Sequence, residues 1–279
     1  MKLLLKIILL VVIYFILFAL ASGLFATGTT PPMTAEQEAM AVPGMLVVAL
    51  VHTLIIVQLI RMSALHGWRL SLVLMLGFYG VTTFMSQNES LWFAPALGIP
   101  YEVIPGFFLS HIPVVLIFMP LAVWLLGRWS GEELAPSFVL QMPVQEWVWK
   151  LALIALAYLV LYFSFGFLIA WQNPELQQMY NRPEGQWVFR QELLIPWQIL
   201  RGVLWGLLAV VILRMLRGSF WSVAVMIGIY FALPMNIYHI LPNPYMPIPG
   251  VRLSHFIETA SSNFILGLVV CKILLWRKA

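Results

Sequence analysis

Between Arg252 and Asn263 the chain sets a guanidinium, an imidazole and a carboxylate at three-residue intervals, in Arg252, His255 and Glu258, followed by Thr259, Ser262 and Asn263. At the pitch of an α-helix these side chains share an arc of roughly 140°, with Phe256, Ile257 and Phe264 mostly elsewhere. A histidine and a glutamate one turn apart can pass a proton between them, and an arginine beside them can hold a phosphate or carboxylate. The plainer reading of Ser262, Thr259 and Asn263 is hydrogen bonding between helices, for which such residues are common.

Arg201 stands eight residues inside another apolar run, with Gln198 one turn before it and Pro196 nearby to loosen the helix. An arginine at mid-helix in a bilayer costs about 2.5 to 3.5 kcal/mol on insertion scales, so a partner is expected in Glu258, Glu192 or Glu102. Its alternatives are a buried ion pair and a side chain snorkelling outward. Gly202 and Gly206, just beyond, are expected to serve helix packing alone.

Histidines form a third group. His52, His111, His239 and His255 fall in or beside apolar runs, and Asn236 precedes His239 by one turn, with Pro234 marking a bend. Taken singly, an intramembrane histidine is a hydrogen-bonded packing residue; taken together, these lie toward one side of the bilayer. The expectation is a pocket built from His111, Arg201, Asn236, His239, His255, Glu258 and Asn263, rimmed by Glu102, Arg190, Glu192 and Arg252. Catalysis falls to His255, Glu258 and His111, and ligand binding to Arg201, Arg252, Asn236, His239 and Asn263.

Several signatures are missing from the sequence: His-Glu-x-x-His, the phosphate-binding glycine loop, Gly-x-Ser-x-Gly and Cys-x-x-Cys. His111, His239, His255 and Glu258 are acceptable zinc ligands, but they are spread over three helices, so no metal site is assigned and the cofactor is unknown. Glu36 with Glu38 and Glu132 with Glu133 read as solvated loop surface. Glu89 and Glu102 read either as the same or as lids over the pocket.

The elements that must carry these residues follow from composition. The 279 residues are 62% hydrophobic and 9% charged, too little polar surface to wrap a water-soluble core. About 20 apolar residues cross the hydrocarbon layer as a helix, since lipid cannot satisfy free backbone amides. Eight runs qualify, predicted at 3–25, 43–60, 68–86, 105–126, 148–171, 193–213, 220–240 and 253–275, in an all-α polytopic bundle of one domain. The segments 26–42, 87–104 and 172–192 are expected as outer connections and 128–147 as an inner one. Pro242, Pro244, Pro247 and Pro249 stiffen the link between the last two helices.

With both termini cytoplasmic, eleven Lys and Arg lie inside, and Arg182, Arg190 and Arg252 outside, which is the positive-inside bias. Tryptophans such as Trp68, Trp129, Trp149 and Trp276 at inner boundaries, and Trp92, Trp171 and Trp187 at outer ones, fit interfacial belts. The first run also resembles a secretory signal, but its apolar core is long, and a retained anchor is expected. Cys271 is the sole cysteine, so no intramolecular disulfide forms.

Polarity that fades toward the inner half favours a site served from one side over an alternating-access carrier. The leading expectation is an enzyme of the plasma membrane acting on an anionic small molecule or lipid head group at the outer leaflet. A small-molecule or proton-coupled transporter, a haem-binding electron-transfer protein and a non-catalytic scaffold are the alternatives. The partner expected in every case is the lipid bilayer; scattered Lys and Arg argue against nucleic acid.

Overall fold

The computed structural model describes residues 2–25, 31–132, 134–189 and 192–276, the side chain of Phe189 excepted. Ten helices are used below: α1 (Leu3–Leu24), α2 (Ala35–Arg61), α3 (Gly67–Leu97), α4 (Tyr101–Leu125), α5 (Val144–Gln172), α6 (Pro174–Tyr180), α7 (Pro183–Phe189), α8 (Leu194–Leu213), α9 (Phe220–Ile240) and α10 (Pro249–Leu275). All but α6 and α7 are long and apolar enough to cross a membrane, which gives eight spans. An even number of crossings puts the start of α1 and the end of α10 on one face, the terminal face; the opposite face is called distal. No strand occurs among the described residues, and an isolated antiparallel bridge between Ser63 and Leu216 ties two loops at the terminal face.

Two boundaries differ from expectation. Helix α2 begins at Ala35, not Pro43, because Thr34 and Gln37 form a reciprocal capping box that satisfies the first free amides. Proline at 43 is carried inside the helix. Helix α3 runs on to Leu97, eleven residues past the expected end at Ser86, so Gln87 to Leu97 is helix and not loop. A π-helical turn over Gly80–Phe84 interrupts it. Such a turn inserts an extra residue and so rotates everything after it relative to the first half of the helix.

Helices α3 and α9 are the most enclosed, while α1 and α5 each bury few residues and form the periphery. The tightest contacts run through small residues. A Cβ on Gly202 would lie 2.6 Å from the Cα of Ala155, and one on Gly267 would lie 2.6 Å from the Cα of Gly228. Glycine at these places lets α8 approach α5, and α10 approach α9, backbone to backbone.

At the terminal face Lys150 is buried and its Nζ donates to the carbonyls of Leu274 (3.0 Å) and Trp276 (2.8 Å) while pairing with Glu146 at 2.8 Å. A cation thereby closes the C-terminal end of α10, where backbone carbonyls have no helical partner.

Candidate functional site

Three groups of polar residues lie inside the distal half of the bundle. The first is carried by α3 and α8. Arg201, 1% exposed, pairs through Nη2 with Glu89 Oε2 at 2.7 Å. Its Nη1 donates to Gln198 Oε1 at 3.1 Å, and the Tyr158 hydroxyl donates to that same oxygen at 3.2 Å. The guanidinium also lies over the Tyr158 ring, 5.6 Å from its centre. The expected partners Glu258, Glu192 and Glu102 are replaced by Glu89, because α3 extends past its π turn and presents Glu89 inward.

The second group is carried by α9 and α10. His255 Nδ1 lies 3.2 Å from Glu258 Oε2, one turn on, and the His255 ring stacks on His239 with centres 5.9 Å apart and planes at 15°. His255 Nε2 and Glu258 Oε2 are both buried without a protein hydrogen-bond partner, so the approach of His255 to Glu258 is an ionic contact and not a formed hydrogen bond. Asn236 donates to the carbonyl of Ala232 at 2.6 Å, and its Oδ1 is buried without a partner.

The third group is a clasp between α1, α2, α4 and α9. His52 Nε2 lies 2.9 Å from the Pro234 carbonyl and its Nδ1 lies 2.6 Å from the Tyr14 hydroxyl. A carbonyl accepts only, so Nε2 carries a proton, and in the neutral ring Nδ1 accepts from the Tyr14 hydroxyl. His111 Nε2 meets the Tyr238 hydroxyl at 2.6 Å beside Phe18. The clasp holds α9 where it tightens into a 3₁₀ turn over Ile237–Ile240, the turn that delivers His239.

A cavity of about 710 Å³ opens above the first two groups, within the size range of pockets that hold small organic ligands. Its wall includes Glu89, Tyr162, Asn236, His239, His255 and Glu258, set among aromatic and aliphatic side chains. Beneath it a chamber of about 20 Å³, enough for one water, is lined by Glu89, Tyr158, Arg201, Glu258, Ser262 and Asn263. Glu89 and Glu258 belong to both linings. Toward the terminal face the interior is filled by Leu74, Phe78, Trp205, Ile227 and Phe231, all fully buried.

The expected pocket residues therefore divide. Asn236, His239, His255 and Glu258 line the cavity, and Arg201 and Asn263 line the chamber below it. His111 lies behind Tyr238, which does line the cavity. Arg252 turns away: its Nη1 donates to the carbonyls of Met246 and Pro247, both at 2.9 Å, and so fastens the proline-rich link to the start of α10. Glu102 and Glu192 are exposed, and Arg190 lies outside the described residues. No Lys or Arg is among the described residues that line the cavity.

A roof covers the distal end. Asn173 caps α6 and also donates to Gly250 O (3.1 Å) and Ser254 Oγ (2.8 Å), which draws α6 onto α10. Phe93, Leu176, Tyr180, Met246 and Val251 pack together above the cavity. Burial in this roof raises the Tyr180 phenol above its usual range, and the nearby Glu258 and Glu89 carboxylates push it further, so the hydroxyl stays neutral.

Among the described residues no three His, Cys, Asp or Glu side chains are grouped to hold a metal ion. Comparison of the chain with protein-family models, with curated proteins and with solved structures returns no match.

Sequence reasoning missed Tyr162 and Tyr238, and it placed Glu89 in a loop, as solvated surface or a lid over the pocket, not on a helix as the partner of Arg201. The run Ser86-Gln87-Asn88-Glu89-Ser90 reads as a loop by polarity. The apolar residues Leu91 to Ala94 that follow it were the signal that the helix resumes.

Proposed function

We propose that the protein is a membrane-embedded hydrolase of the plasma membrane whose water-activating pair is His255 and Glu258, facing the distal cavity, with the distal face outward. The observation that carries this reading is the 3.2 Å contact of His255 Nδ1 with Glu258 on the cavity wall, with Nε2 left free of protein partners. A histidine with a carboxylate beside one ring nitrogen and no protein partner at the other has the two groups that acid/base catalysis uses.

In the reaction, His255 Nε2 takes a proton from water as the water oxygen bonds to the carbonyl carbon of an ester or amide. Glu258 stabilises the imidazolium that forms. The bond to the leaving oxygen or nitrogen then breaks, and His255 returns the proton to it, so atoms and charge balance.

The preference for an anionic substrate changes. Arg201 is neutralised by Glu89 and Arg252 is engaged by link carbonyls, so the wall favours an uncharged or cationic polar group.

Purified protein in bilayers, given a membrane lipid and acyl-peptide extract in ¹⁸O-water, is expected to release a carboxylic acid carrying the isotope. Incorporation is expected to fall by at least about 100-fold in both H255Q and E258Q, in the range typical of lost acid/base groups. Equal incorporation by wild type and both variants would remove the proposed role.

A further inference from the structure

The cavity has walls of two kinds. At the distal end Phe93, Leu176, Tyr180 and Met246 are buried beneath the roof, whereas Phe163 and Phe167 of α5 are 42% and 67% exposed on the lipid-facing side of the bundle. No other cavity-lining residue is exposed to a comparable degree. Between these two phenylalanines stands Gly166, where a Cβ would lie 3.5 Å from Glu258 Oε1. The helix is thus notched where it separates the bilayer from Glu258, and aromatic rings that line the cavity also face lipid.

We propose that the cavity takes a single-chain amphiphile with an uncharged or cationic polar end, entering sideways from the bilayer across α5 at Gly166, between Phe163 and Phe167. This rests on the hydrolase reading for what happens next but not for binding. The chain would lie along Phe93, Phe107, Phe163 and Leu241, and the polar end would reach Glu258, His255 and Asn236. The side route needs only two exposed rings to turn. Glu258, the wall carboxylate that no Lys or Arg pairs with, disfavours an anionic head by like-charge repulsion in a medium of low dielectric constant.

The test uses the full chain in nanodiscs with a monoacylglycerol bearing a diazirine in its chain, and mass-spectrometric mapping of the photoproducts. Labelling is expected within Asn236 to His239 and at Tyr162, and G166L is expected to lower it at least five-fold while leaving labelling of the lipid-facing Leu156 and Val160 unchanged. A diazirine alkyl phosphate of the same chain length is expected to label the interior at least five-fold less. For wild type, excess unlabelled monoacylglycerol should displace the interior signal, which keeps the test decisive if G166L does not fold.

No interior labelling, interior labelling that G166L leaves intact, or equal labelling by the alkyl phosphate would overturn the proposal. Isotope incorporation with a water-soluble ester and no interior labelling would end this proposal and leave the hydrolase standing. Interior labelling without incorporation on any substrate would do the reverse.

Discussion

Glu89 and Arg201 are 112 positions apart in the chain and meet at 2.7 Å inside the bundle. The contact joins the far half of α3 to the middle of α8 and cancels a charge that the bilayer could not tolerate alone. It also forms the floor between cavity and chamber.

Removing one partner should cost more than removing both. E89Q leaves a guanidinium that is 1% exposed without a counter-ion, and we expect a loss of about 3 kcal/mol, the low end for broken buried pairs, because Glu89 is itself 27% exposed. R201M combined with E89Q should recover part of this loss. Thermal unfolding of the four proteins of the double-mutant cycle in detergent measures it, and additive losses would mean the pair is not coupled.

The clasp makes a separate prediction. Y14F removes the hydroxyl that donates to His52 Nδ1 and leaves a buried acceptor bare, at an expected cost of about 1 to 3 kcal/mol. H52F should cost at least as much and should also release the Pro234 carbonyl. Because the 3₁₀ turn that follows carries His239, hydrogen exchange at 237–240 is expected to quicken in H52F; unchanged exchange there would argue that the clasp does not hold the turn.

Close approach at Gly202 sets a third. A leucine there must displace the α5 backbone at Ala155, and G202L is expected to lose roughly 1 to 3 kcal/mol or to fail to assemble, as overpacking does. G98A, at a position with open space but a φ of +64°, should show a smaller loss from backbone strain alone. Comparing the melting temperatures of the two variants separates crowding from strain.

At the opposite face, K150M is expected to free the carbonyls of Leu274 and Trp276 and to lose about 1 to 2 kcal/mol. The change should appear as faster hydrogen exchange in the last turn of α10 with no change in amphiphile labelling of the distal cavity. An altered distal site would mean that the two ends of α10 are coupled.

Composition and the lengths of the apolar runs were sufficient for the architecture: eight spanning helices and, among the described residues, no strand, since in a bilayer the backbone must satisfy its own hydrogen bonds and little else is free to vary. The polar face of α10 was legible too, because Arg252, His255 and Glu258 sit at spacings that any helix brings to one side. What sequence could not decide was which charges meet. Glu89 looked like loop and Arg252 like a ligand clamp. A π turn over Gly80–Phe84 put Glu89 inside, and two carbonyls of the proline-rich link took up Arg252. Pairing among ionisable groups depends on distances between helices far apart in the chain, and one inserted residue in a helix turns a side chain by a large fraction of a circle. Local pattern carries no record of either, so the partners became known only once the helices were packed.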